Sequence, residues 1–356
     1  MQKAGLDQRW LRVTMAALLG CAACGGGSPS SPTPTPTPPG STLDALRIAA
    51  VARGELVGTA IQAGFIGDAR YRAVVDREFN YITAEYQMKW DALEPSPGAS
   101  NFSAGDAIVS YADSQGMRVK GHALVWHNSV PGWVNALSAT ELRAAFENHI
   151  RVVADHYRGR VLAWDVVNEA VADDGGGLRD TVFRQKLGDQ YIADAFRLAH
   201  EADPQALLFY NDYGGEGINA KSNRIYELVR GLRAQGVQVD GVGLQMHVSA
   251  NGRPSDSSIA ANMRRLADLG LRVNISEMDV RISNVGGTPE ARLDVQKTAY
   301  HDIVRLCVME PRCDGVTFWG FTDAHTWISG DDPLLFDAQY ARKPAYYGVL
   351  NALSGQ

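Results

Sequence analysis

The sequence is poor in several features that would have settled its class at once. Four cysteines in 356 residues are too few for a disulfide-stitched scaffold. No HExxH helix and no tandem CxxC pairs supply a zinc site, so no metal is expected. A GxSxG elbow for serine chemistry is missing too. The first β-rich run reads Val57-Gly58-Thr59-Ala60, which is not a Gly-rich phosphate turn, so nucleotide binding on an open sheet is disfavoured. Long basic runs are absent and the net charge is −6, which leaves nucleic acid without an electrostatic footprint. With 45% hydrophobic and 21% charged residues, what remains is ordinary globular composition.

The amino terminus stands apart. Lys3, Arg9 and Arg12 precede a short apolar stretch, Val13 to Gly20, too short to span a bilayer and read instead as a signal peptide over residues 1–20. It runs into Leu18-Leu19-Gly20-Cys21, which looks like a lipoprotein cleavage box, with Cys21 the lipidated residue; Cys24 lacks the upstream leucine. The alternative is a plain signal peptide and a fully secreted protein. Residues 21–44 include GGGSPSSPTPTPTPPG, whose Thr-Pro repeat favours extended polyproline II and reads as a tether. Residues 45–356 are the folded part. The expected location is therefore the bacterial cell envelope, surface or periplasmic, with the membrane touched only through the lipid. In an oxidising compartment Cys307 and Cys313 are expected to form a bridge worth about 2 to 3 kcal/mol. Two buried thiols are the other possibility.

From residue 45 onward, short β-branched runs alternate with longer helical periods. The runs are Leu56–Gln62, Phe79–Tyr86, Arg118–Trp126, Val161–Ala170, Ala206–Tyr213, Gly241–Val248, Arg272–Val280 and Gly315–Asp323. Between them lie amphipathic stretches such as Thr140–Tyr157, Phe183–Glu201, Ser222–Gln235 and Ile259–Leu269. Eight such units predict parallel strands closed into a (β/α)8 barrel of the α/β class, a single catalytic domain.

Chemistry-bearing residues gather at the carboxyl ends of these runs. The second ends in Glu85-Tyr86, with Lys89 beyond it, and the third carries His122 and Trp126. Asn168-Glu169 closes the fourth; Gln245 and His247 close the sixth, Glu277 and Asp279 the seventh. Trp319 follows the eighth, and Trp327 its loop. A lone glutamate of this kind is usually a solvated or salt-bridged side chain. In a βα barrel all these ends face one mouth, where active sites are built. Paired carboxylates, indole platforms and amides are the set needed to cleave a glycosidic bond: one carboxyl protonates the leaving oxygen, and the other meets the oxocarbenium-like centre. Trp164, just before the fourth strand end, reads as core filling.

The segments Trp164–Ala170 (WDVVNEA), Asn274–Val280 (NISEMDV), Gly121–Val134 (GHALVWHNSVPGWV) and Thr317–Trp327 (TFWGFTDAHTW) closely resemble glycoside hydrolase family 10. Asn211-Asp212-Tyr213, Gly241–His247 and Pro333–Tyr346 extend the likeness from about residue 45 to the end. The resemblance implies a retaining endo-β-1,4-xylanase that needs no cofactor, acts on xylan and xylo-oligosaccharides, and is a monomer. It assigns Glu169 as acid/base and Glu277 as nucleophile. Asn168 matches the amide on the 2-hydroxyl, His247 and Asp279 the pair that tunes the nucleophile, and Gln245 the partner of the acid/base. Glu85, Tyr86, Lys89, His122 and Trp126 match glycone contacts and walls; Trp319 and Trp327 match stacking indoles. Tyr86 departs from the pattern, since the family usually has Asn after that Glu. Two other readings are open at this point: a retaining β-1,4-glucanase or mixed-specificity glycosidase, and a lipid-anchored glycan-binding protein without catalysis.

Overall fold

Residues 45–356 are described by the computed structural model. The expected signal peptide, Cys21 and the Thr-Pro tether lie outside these residues. Nine parallel strand segments follow in order: β1 (Leu56–Ile61), β2 (Tyr81–Ala84), β3 (Arg118–Trp126), β4 (Ala163–Asn168), β5 (Leu207–Asp212), β6 (Gly241–Leu244), β7 (His247–Ser249), β8 (Arg272–Arg281) and β9 (Cys313–Phe318). Neighbours in sequence pair from β1 to β6, β6 pairs with β8, β8 with β9, and β9 returns to β1, so the sheet closes. The short β7 continues the line of β6 and pairs with β8, so the circle has eight positions. This is a (β/α)8 barrel.

The strands are buried on both faces: all four residues of β2 and all six of β4 are buried. That explains why they read as near-continuous apolar runs and not as alternating ones. Helices are set by capping chemistry as much as by amphipathicity. Ser138 and Glu141 form a capping box at the start of Ala139–His156, and Asn219 and Ser222 do the same for Ala220–Ala234. Proline opens both Pro289–Met309 and Pro344–Ser354, where its missing N–H costs nothing.

Most element ends shift by one to three residues from the sequence expectation, as with β2, expected over Phe79–Tyr86, and β4, expected over Val161–Ala170; three departures go further. The stretch Phe183–Glu201 is two helices, Val182–Leu187 and Tyr191–Ala202, because Gly188 takes φ 77° between them. The sixth strand is interrupted after Leu244, where Met246 adopts φ 65° and donates its N–H to Glu216. The last strand begins at Cys313 and ends at Phe318, so Trp319 to Asp323 belong to the loop above it. Cys307, near the end of Pro289–Met309, and Cys313, the first residue of β9, are disulfide-bonded with Cα atoms 5.2 Å apart. The bond sits at the amino ends of the strands, opposite the mouth. Among the described residues no helix is long and apolar enough to cross a membrane.

Candidate active site

Glu277 lies within β8 and Glu169 one residue past β4; both are buried, at 4% and 6% exposure. They are joined through amides. Asn211 of β5 donates from Nδ2 to Glu277 Oε1 at 2.6 Å and to Asn168 Oδ1 at 2.9 Å. Its own Oδ1 accepts from Ser276 at 2.6 Å; the Glu277 carboxylate, which can only accept, fixes which end of the amide is the donor. Gln245 then donates to Asn168 Oδ1 at 3.2 Å and to Glu169 Oε1 at 3.1 Å. With Oδ1 doubly occupied, Asn168 has its Nδ2 as the group that can donate, and this atom stands 3.4 Å from Glu169 Oε1. Gly243 makes the arrangement possible, for a Cβ there would come within 2.1 Å of Asn211 Oδ1.

On the other side of Glu277 stands a charged relay. His247 Nε2 is 3.3 Å from Glu277 Oε2, and His247 Nδ1 is 2.7 Å from Asp279 Oδ2. Asp279 Oδ2 also accepts from the Trp327 indole at 2.9 Å. Burial alone would push the His247 pKa down, but the Asp279 and Glu277 carboxylates overcome it and raise it to about 10, so the ring is cationic at neutral pH and donates from both nitrogens. Burial would likewise push the Glu277 carboxyl up; the His122 ring, the His247 donor and the Asn211 amide together bring it down to about 2. His122, at 1% exposure, has Nδ1 3.0 Å from Asp165 Oδ2 and 3.9 Å from Glu277 Oε1. Asp165 is paired in turn with Lys120 Nζ at 2.7 Å, deep in the barrel.

One wall of the mouth is cationic and aromatic. Lys89 is buried, with Nζ 4.4 Å from the Trp126 ring centre and 5.8 Å from that of Trp319. Burial lowers its pKa, opposed by Glu277 and Glu85. Burial raises that of Glu85, whose position just past β2 is continued by its N–H bond to Ile61. Trp319 packs edge-on to His122 at 5.1 Å and is 8% exposed, whereas Trp327 is 53% exposed. Tyr86 stands at the rim, its hydroxyl donating to Asp91 Oδ2 at 3.1 Å. Trp164 is fully buried in the core.

All thirteen residues marked from the sequence as catalytic, supporting or sugar-binding therefore belong to the mouth side of the barrel. Others went unmarked: Asn211, which joins the two carboxyl groups, and Ser276, Asp165 and Lys120 behind it. Their signal was present, since a polar side chain inside a strand buried on both faces must have a partner there. Among the described residues, no group of three or more His, Cys, Asp or Glu is placed to hold a metal ion.

A closed parallel barrel with buried paired carboxyl groups, amides and indoles at the carboxyl ends of its strands defines a carbohydrate-cleaving enzyme of the barrel type. The profile of Glycosyl hydrolase family 10 matches residues 45–352, and the chain belongs to that family. It is 42% identical over 287 residues to endo-1,4-beta-xylanase B of Thermotoga neapolitana, covering 79% of this chain and 82% of that one. To the endo-1,4-beta-xylanase of Agaricus bisporus it is 40% identical over 306 residues, covering 83% and 90%. Among solved structures, xylanase 10B from Thermotoga petrophila RKU-1 in complex with xylobiose superposes with a TM-score of 0.84 at 41% identity, covering 87% of this chain and 97% of that one.

Proposed function

We propose that this chain, a family 10 endo-1,4-β-xylanase, hydrolyses internal β-1,4-xylosidic bonds of xylan and xylo-oligosaccharides with retention of configuration. The observation that carries the reading is the contrast between the two buried carboxyl groups. Glu277 is held ionised by an amide and a cationic histidine, as a nucleophile must be. Glu169 accepts from two neutral amides and forms no ion pair among the described residues, as suits a group that carries a proton and gives it up.

In the first step Glu277 attacks the anomeric carbon while Glu169 protonates the glycosidic oxygen, and the aglycone leaves. In the second, Glu169 takes a proton from water, which displaces Glu277 and restores both groups. Asn168 Nδ2 donates to the sugar 2-hydroxyl, a contact that gains strength as charge develops at the neighbouring carbon. Lys89, Glu85 and Trp126 bind the glycone side, and Trp319 and Trp327 offer apolar faces to sugar C–H groups. NMR of the first product from xylopentaose tests the mechanism: the β-anomer is expected, and initial α-anomer overturns it.

The amino-terminal reading is a proposal of the same kind. Lipid on Cys21 would anchor the enzyme, supported by Leu18-Leu19-Gly20-Cys21 and the Thr-Pro tether. Wild-type protein should partition into detergent and Cys21→Ser into the aqueous phase with activity retained; aqueous partitioning of the wild type overturns it.

A further inference from the structure

Glu169 has φ 58°, a left-handed conformation that is strained for a non-glycine residue and persists only where its surroundings dictate it. What dictates it here is a complete set of main-chain hydrogen bonds over three consecutive residues. The N–H groups are taken by β5. Glu169 donates to the Asn211 carbonyl at 2.9 Å, and Ala170 and Val171 both donate to the Tyr210 hydroxyl, at 3.0 and 3.1 Å. Tyr210 is fully buried and donates its own hydroxyl hydrogen bond to Asp212, which is paired with Lys221 at 3.0 Å.

The three carbonyls are all taken by one residue of the following loop, Arg179. Its Nε donates to Glu169 O at 3.1 Å, its main-chain N–H to Ala170 O at 2.7 Å, and its Nη2 to Val171 O at 3.3 Å. The guanidinium is itself held by Asp173, at 2.8 and 3.3 Å, and lies 3.2 Å from the Tyr213 hydroxyl. Those bonds, the Arg179 one first, keep the Asp173 carboxyl well below its ordinary range, so the pair is charged at neutral pH. A planar fork suits such a site, because its fixed nitrogens reach two carbonyls and a carboxylate from different positions, where a lysine offers a single nitrogen.

We propose that Arg179 is a positioning residue for Glu169: by holding the carbonyls of residues 169–171 it imposes the left-handed turn that aims the acid at the glycosidic oxygen. The proposal rests on the reading of Glu169 as acid/base. Arg179 touches no reacting atom in this scheme, so its loss should weaken only the step that needs the proton delivered.

The test compares kcat/KM on two aryl β-xylobiosides. Phenolate is a poor leaving group and requires protonation; 2,4-dinitrophenolate leaves without it. Arg179→Ala should lower the phenyl substrate about tenfold to a hundredfold and the dinitrophenyl substrate by less than about threefold. An equal fall on both, or none on either, overturns the proposal. If Arg179→Ala does not fold, Arg179→Lys keeps the charge with a single point of attachment. It should show the same split on a smaller scale, and wild-type behaviour of the folded Lys variant overturns the proposal. Glu169→Ala on the same pair separates the two readings. Without a split there, the acid/base assignment itself falls; with a split there and none at Arg179, the positioning role alone falls.

Discussion

The two carboxyl groups at the mouth are held by different physics. Glu277 sits in the middle of regular strand, and its state is set by side chains: an amide on one oxygen, a histidine cation on the other, an aspartate behind the histidine. Glu169 sits just past the end of a strand, and its place is set by the main chain, with side chains of Tyr210 and Arg179 serving the backbone of its turn. A nucleophile needs its charge state fixed, which electrostatics does at short range. A general acid must present one proton along one direction, and that is fixed by conformation. The same barrel mouth thus uses charge on one side and backbone geometry on the other.

Removing the carboxyl groups should break the comparison most sharply. Glu277→Ala should lose on the order of 10⁵ in kcat and recover activity with azide, giving the α-glycosyl azide, since only one inversion then occurs. Glu169→Ala should keep fast glycosylation of 2,4-dinitrophenyl xylobioside and, with azide, give the β-glycosyl azide, because azide then attacks the covalent intermediate. NMR of the two azides decides it: a β-product from the Glu277 variant would exchange the roles.

His247→Asn removes the charge but not the polarity beside Glu277, and should lower kcat on xylan about tenfold to a hundredfold. In the proposed mechanism activity requires ionised Glu277 and so is lost as pH falls through its pKa. With that pKa at about 2, the acid limb of kcat/KM lies low in the wild type, and in the variant it should move up toward the ordinary carboxylate range. Stability carries the opposite limb. A histidine raised to about 10 in the fold stabilises fully below its unfolded pKa and ceases to do so as pH climbs through the folded one. The Tm advantage of wild type over His247→Asn should accordingly shrink between about pH 6.5 and pH 10. A gap constant across that window would show that the histidine acts as a neutral ring.

This division of labour also explains what was legible in the sequence. Barrel strands buried on both faces leave apolar runs that can be counted, and all eight positions were. Glu277, His247 and Asp279 are side-chain chemistry, and side chains are what a sequence states. The left-handed φ of Glu169 and the break at Met246 are conformations of non-glycine residues, for which composition carries no mark. Arg179 escaped notice for the same reason: it acts on carbonyls, which every residue has. Asn211 was within the quoted motif, yet its role needed the third dimension, because its three side-chain partners lie on other strands. The single helix expected over Phe183–Glu201 failed at Gly188, a glycine inside an otherwise periodic stretch.

The far end of the barrel, which carries none of the proposed site residues, sharpens the contrast. Replacing Cys307 and Cys313 by serine opens a loop of sequence separation 6 at the amino ends of the strands. The loss should be about 2 kcal/mol of stability, seen as a Tm lowered by a few degrees, with kcat/KM on xylan unchanged at 25 °C. A change in kcat/KM would mean that the two ends of the barrel are coupled.

The smallest effect belongs to Tyr86, at the rim and outside both holding systems. Where the family usually has an asparagine, this chain has a phenol, 46% exposed, whose hydroxyl is engaged with Asp91. An amide can donate and accept toward sugar hydroxyls in one plane; this phenol has one oxygen, already committed to a carboxylate. Its ring still gives contact area, and Lys89 Nζ stands 5.9 Å from its centre. One neutral hydrogen bond is worth about 0.5 to 1.5 kcal/mol, roughly a threefold to tenfold change in affinity. Tyr86→Asn should therefore raise kcat/KM on xylotriose and longer substrates a few fold. An aryl xyloside, which reaches only the first glycone position, should hardly respond, whereas a folding defect would lower both. The side chain takes no part in the hydrogen bonds that fix Glu277 and Glu169, so neither the acid limb nor the leaving-group dependence should move. If Tyr86→Asn abolishes activity on long substrates while sparing the aryl xyloside, the ring is part of how this cleft grips its chain, and the Asp91 contact is what sets its angle.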